Sequence, residues 1–222
     1  MKKKVIAIIL SVLTALLLII LSLHLINSHQ KKTQTNSTTD NYNKVQLGVT
    51  VDSWLKIIEI DEYYGRLAVV VENVSDKDIE YAELIVKTRE NTLSFNVSAL
   101  LSGTKAVLLC NDEVGKITDE VYTGWQTENL IYFDNKPEID SDNLEISIKN
   151  GSISVKNISG QDIKSDILIF YKDKKDDLVN GSVTYKTRLK GLKADSQTFI
   201  KTPDINEKNC QIIFTTYEDK EV

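Results

Sequence analysis

The chain has 222 residues, with 27 lysines and arginines against 32 aspartates and glutamates, two histidines and two cysteines. Nothing in a formal net charge of −5 invites nucleic acid, whose backbone is held by grouped lysines and arginines. Both histidines lie before residue 30, so the remainder cannot assemble a Ser-His-Asp or Cys-His centre or a His-containing zinc site.

Residues 1–4 carry Lys2, Lys3 and Lys4, and residues 5–26 form an apolar run interrupted only by Ser11, Thr14, Ser22 and His24. A helix of that length covers about 33 Å, enough for a hydrocarbon core of about 30 Å. A cleaved signal peptide would have a shorter apolar centre and a small-residue cleavage site, which Leu23-His24-Leu25-Ile26-Asn27 does not supply. The expectation is a cytoplasmic stub at 1–4 and a single-pass transmembrane signal anchor at 5–26. The basic residues at the amino end orient it with the N-terminus in the cytoplasm and the rest extracytoplasmic at the cell membrane, although Lys31 and Lys32 follow the run. Residues 27–44 are polar, with Tyr42 the one aromatic, and read as a disordered linker with too little apolar surface to offset its ordering. Beyond the anchor the lysines and arginines fall to 24 against 32 acids, a formal charge of −8.

The remainder contains a repeat. Leu67-Ala68-Val69-Val70-Val71-Glu72-Asn73-Val74-Ser75-Asp76-Lys77-Asp78-Ile79 aligns with Gly151-Ser152-Ile153-Ser154-Val155-Lys156-Asn157-Ile158-Ser159-Gly160-Gln161-Asp162-Ile163 at an offset of 84 residues, and Leu84-Ile85-Val86-Lys87 continues against Leu168-Ile169-Phe170-Tyr171. Period-two alternation at Ile146, Ile148, Ile153 and Val155 surrounds Asn150-Gly151, a pair suited to a tight hairpin turn. Asn180-Gly181 is a second pair of that kind. Helix signals are scarce after the anchor; residues 112–120 could form one short turn. The fold class expected is all-β: two tandem immunoglobulin-like β-sandwich domains, at 45–134 and 144–222, behind an N-terminal transmembrane helix, with an interdomain linker at 135–143. The acids of that linker lack a complete calcium-loop pattern and read as solvated. The basic stretch 186–193 reads as a lysine-protected strand edge.

Gly151-x-Ile153-x-Val155-x-Asn157-x-Ser159-Gly160, then Phe170-Tyr171-Lys172-Asp173, then Leu192-Lys193-Ala194-Asp195-Ser196-Gln197-Thr198-Phe199 resembles the FxLYD-type β-sandwich domains of bacterial surface proteins. The second copy departs from that pattern by placing Lys172 between Tyr171 and Asp173, and the first by having Val86-Lys87-Thr88 at the aromatic unit. The resemblance implies an extracytoplasmic sandwich module without known catalysis and carries over no functional residue.

Asn73 and Asn157 read as strand-end residues that bond nearby backbone and shape a turn. The sharper alternative, an intramolecular Lys–Asn isopeptide bond, needs a buried lysine, asparagine and carboxylate together. Cys110 and Cys210 read as two buried thiols, with a disulfide between the copies as the alternative. Aromatic residues are the best clue to a partner, and Tyr63, Tyr64 and Trp125 are the candidate contacts, with the Tyr63-Tyr64 pair expected at a loop tip before Gly65. No catalytic residue, cofactor or metal is assigned. The functional expectation is a binding or scaffolding protein, not an enzyme, held in the membrane by residues 5–26 and engaging a protein or cell-wall partner. A carboxylate-dependent wall-glycan hydrolase and the outer subunit of a larger membrane complex are the alternatives; Ala7, Ser11 and Ala15, spaced by four, are compatible with the latter.

Overall fold

The computed structural model describes residues 45–112, 122–202 and 205–219. The anchor at 5–26 and the linker at 27–44 lie outside them, as does nearly all of the candidate helical turn. Among the described residues no helix is long and apolar enough to cross a membrane.

The described chain is all-β. Its strands are β1 (Val45–Val51), β2 (Leu55–Tyr63), β3 (Arg66–Asn73), β4 (Ile79–Lys87), β5 (Thr92–Leu100), β6 (Lys105–Leu109) and β7 (Gly124–Tyr132), then β8 (Leu144–Lys149), β9 (Ser152–Asn157), β10 (Ile163–Lys175), β11 (Leu178–Asn180), β12 (Tyr185–Leu192), β13 (Gln197–Lys201) and β14 (Cys210–Glu218). Alternating burial along β4 and β5 turns Ala82, Leu84, Val86, Phe95 and Val97 inward, as the period of two in a pleated strand requires. They meet Leu55, Ile57, Val69 and Val71 from the facing sheet in one core. A second core gathers Ile153, Val155, Ile167, Ile169 and Cys210. The arrangement is that of a β-sandwich.

The sequence repeat is also a repeat of strand pairing. The sequence of neighbours β2-β3-β6 recurs as β8-β9-β13, and β5-β4-β7 recurs as β12-β10-β14. Hydrogen bonds recur with it. Asn73 Nδ2 donates to the Lys77 and Leu100 carbonyls at 2.8 and 3.0 Å while its Oδ1 accepts from the Ser75 amide and hydroxyl. Asn157 Nδ2 donates to the Gln161 and Leu192 carbonyls at 2.7 and 3.0 Å while its Oδ1 accepts from the Ser159 amide and hydroxyl. Asp78 accepts from the Ser102 amide as Asp162 does from that of Ala194. Both asparagines are fully buried, which agrees with their reading as turn-shaping residues.

Two insertions break the symmetry. β1 adds an edge strand to the first half, and β10 runs on to 13 residues, turns at Asp176-Asp177 and returns as β11. β11 pairs parallel to β6, Val179 opposite Ala106 and Asn180 opposite Val107, so β1-β2-β3-β6-β11-β10-β12 is one continuous hydrogen-bonded sheet through both halves. Val179 belongs to the first core. Asn180-Gly181 is therefore not a hairpin turn, as its composition suggested; the tight turn falls at Asp176, whose φ is +55°, and Asn180-Gly181 lies against the edge of β6. The dipeptide supports a turn only where the flanking strands pair with each other, and here the partner is a distant strand.

Gly181 is held by contact. Its amide donates to the Val107 carbonyl and its carbonyl accepts from the Ser98 amide, both at 2.8 Å. A Cβ at this position would stand 2.7 Å from Leu108 Cδ2 and 2.8 Å from Ala106 Cβ. Gly181→Val is expected to destabilise the full chain by about 3 kcal/mol through overpacking and lost hydrogen bonds. Hydrogen exchange should localise the effect: the Ser98 and Leu109 amides, which bond Gly181 and the Ser182 hydroxyl, lose protection while the Leu84 and Ile153 strands keep theirs. Unchanged protection at Ser98 and Leu109 would show that the joint does not depend on this close approach.

The segment 134–143 is laid along β14. Pro137 is buried, the Thr215 amide donates to the Glu138 carbonyl, and the Tyr217 hydroxyl bonds Asp140. Burial alone would raise the Asp140 carboxyl; the bonds from Tyr217 and Asn143 outweigh it and hold the group below its ordinary value. The basic stretch falls on β12, an edge strand among the described residues, with Lys186, Arg188 and Lys190 exposed. Arg188 pairs with Asp166 and Glu218.

Candidate functional site

The β10–β11 extension brings side chains of both halves together on two sides. Along β10 successive residues face opposite ways, so Lys172 points to one side and Tyr171, Asp173 and Lys175 to the other.

On the first side Lys172 is 1% exposed, and its ammonium donates to the carbonyls of Ser98, Asn180 and Val183 at 2.5, 3.1 and 3.4 Å. Burial brings its pKa down to about 7. Beside it the Ser98 and Thr184 hydroxyls are 2.9 Å apart. Three backbone carbonyls hold this amine, and the Asn73 and Asn157 amides are taken by backbone and serine, so the geometry offers neither asparagine to a lysine for an isopeptide bond.

On the second side Asp173 is the common neighbour. It lies opposite Cys210 in the β10–β14 pairing, with Cys210 Sγ 3.5 Å from its carboxylate. Burial first, and then the hydrogen bond to Asp173, push the Cys210 thiol up to about 11, which favours its protonated form. Tyr185 stacks on Tyr171 with ring centres 5.4 Å apart and hydrogen-bonds Asp173; burial and that bond raise its pKa. Tyr64 is raised by burial and then by the negative charges of Asp173 and Asp176. The Lys175 ammonium sits 5.5 Å from the Tyr63 ring centre and 5.9 Å from that of Tyr64.

Tyr63 and Tyr64 are where the sequence puts them, at the β2–β3 turn, with Tyr63 paired to Arg66 across a two-residue loop. Tyr64 has φ +54° and Gly65 +73°, as Asn150 at +50° and Gly151 at +72° have in the β8–β9 turn, which corresponds by strand pairing and stands two residues beyond the 84-residue offset because β3 is longer than β9. Asparagine tolerates that left-handed conformation; a bulky tyrosine there is an outlier, and Tyr64 is 51% exposed, so packing does not explain it. Trp125 lies elsewhere. It sits half-buried on β7 in the other sheet, stacked on Tyr122 at 5.4 Å and packed against the first core.

The residues missed from the sequence are Asp173, Lys175 and Tyr185. The available signal was the extra Lys172 inside the aromatic-Tyr-Asp unit, which marks the place where β10 departs from its counterpart. Cys110 and Cys210 are both buried and free. Among the described residues no three His, Cys, Asp or Glu side chains converge to hold a metal ion. Two surface grooves lie beside the asparagine-held turns, one lined by Asp78 and Ser102 and the other by Asp162 and Lys193. Their aspartates already accept backbone amides, which gives them a structural task.

The joint thus presents aromatic faces and carboxylates around the buried Cys210 thiol. Comparison with protein-family models, with curated proteins and with solved structures finds no match to this chain.

Proposed function

We propose that this chain is a membrane-tethered, extracytoplasmic binding module in which two immunoglobulin-like sandwiches of the FxLYD type, 45–134 and 144–222, are presented on a signal anchor at 5–26 and have no catalytic activity of their own. The partner is a protein or a cell-wall component.

The observation that carries this reading is Tyr64: an exposed aromatic side chain in a left-handed turn that its counterpart fills with asparagine, set beside Asp173 and Asp176 from the other half. Unfavourable backbone conformation at an exposed residue points to a role outside the fold. The continuous sheet supports it, because it fixes the two contributing surfaces relative to each other and lowers the entropy lost when a ligand spans both.

The test places a photo-reactive residue at Tyr64, and separately at Ile158, in the full chain on intact cells. Adducts at Tyr64 and none at Ile158, with the described region open to added protease before lysis, are expected. Equal labelling at both sites, or protection from protease until the cells are broken, would overturn the reading.

A further inference from the structure

The joint already holds a cation against its tyrosines. Lys175 belongs to an exposed hairpin, and its ammonium reaches over both the Tyr63 and Tyr64 rings. A ring face attracts an ammonium through its quadrupole, and nearby carboxylates add to that attraction. Here the carboxylates are Asp173 and Asp176. Tyr185, 38% exposed, bonds the same Asp173. The charge beyond the anchor is −8, so a cationic ligand is favoured at longer range as well.

We propose that the Tyr63-Tyr64 turn, Tyr185 and Asp173 form a binding site for an alkylammonium group presented by a partner, and that Lys175 is the chain's own occupant of that site. The inference rests on the binding-module reading and names its ligand class. A partner ammonium enters by displacing Lys175, whose long side chain swings into solvent with little loss of other contacts. Lys175 therefore sets a threshold: ligands that merely match it bind weakly, and those with further contacts displace it.

The experiment uses the full chain in a non-ionic detergent, labelled with 3-fluorotyrosine and titrated with n-butylammonium chloride. n-Butanol with matched sodium chloride is the control. Saturable fluorine shifts at Tyr64 and Tyr185 are expected with the amine and not with the alcohol. Lys175→Met removes the competitor and should tighten binding about two- to fivefold, and Asp173→Asn should weaken it about threefold or more. Tyr64→Asn installs the residue of the second copy, so it should hold or raise the thermal midpoint while abolishing the response of Tyr185. Tighter binding of an acetylated, amidated Gly-Lys-Gly peptide identifies a peptide lysine as the source; equal binding identifies a small free amine, and both uphold the site. Unsaturable shifts, an affinity indifferent to Lys175→Met, or full binding by Tyr64→Asn would overturn it. Adducts at Tyr64 on cells combined with any of those results would sink the ligand class and leave the binding module standing.

Discussion

Raising the pH from 7 to 8.5 is expected to stabilise the native chain against unfolding through Lys172, and Lys172→Met should remove that dependence. The ordinary lysine pKa is 10.5, and burial brings Lys172 down to about 7 in the fold. Between those values the unfolded chain holds a proton that the folded chain has released, so stability rises with pH across the window, and the cost of burying the charge is fully present below about 7. One pKa unit corresponds to about 1.4 kcal/mol, so the gap between the two proteins should widen by about 1.5 kcal/mol over that range. Methionine fills a similar volume but leaves the Ser98, Asn180 and Val183 carbonyls without their donor, so the variant is expected to be the less stable protein at pH 8.5, by about 2 kcal/mol or more. Urea unfolding at the two pH values checks both statements. The upper limit matters: past about 9 the folded chain keeps the Cys210 proton that the unfolded chain loses, which lowers stability and opposes the lysine. A gap that stays constant, or narrows, between pH 7 and 8.5 would show that Lys172 does not titrate there.

Asn73→Ala and Asn157→Ala are each expected to destabilise the chain by about 3 kcal/mol, and by amounts equal to within about 1 kcal/mol. Each carboxamide is completely buried, donates to two carbonyls and accepts from a serine amide and hydroxyl. Truncation leaves those groups without the partner that the buried carboxamide supplies, and an unsatisfied buried group costs about 1 to 3 kcal/mol. Aspartate is no substitute, because a carboxylate would face the Lys77 and Leu100 carbonyls, or those of Gln161 and Leu192, without a hydrogen to donate. Chemical unfolding of the full chain measures both variants. A loss below 1 kcal/mol in one and not the other would separate two sites that the repeat treats as equivalent.

The all-β class, the 84-residue repeat, the Asn150-Gly151 hairpin, the Tyr63-Tyr64 turn and the structural role of Asn73 and Asn157 were all legible in the chain. Each depends on a local rule: alternation follows from the pleat, positive φ from the turn, and side-chain bonding to nearby backbone from the short reach of asparagine. Trp125 looked equivalent to the tyrosines because composition records an aromatic residue and not the sheet it occupies. Asn180-Gly181 was misread for a related reason, since its partner strand β6 lies about seventy residues earlier.

What the sequence determined by itself was the class of the fold and its internal repetition, because these rest on periodicities within a few residues. Only the tertiary structure decided that β10 and β11 join the halves into one sheet, that Lys172 is buried at the joint, and that Lys175 and Asp173 come to the Tyr63-Tyr64 turn with Tyr185 bonded to Asp173. Those contacts link residues about 70 to 120 positions apart. They arise from the edge hydrogen bonds of β6 and from the space that Gly181 leaves beside Ala106 and Leu108, and no local pattern in the chain records either.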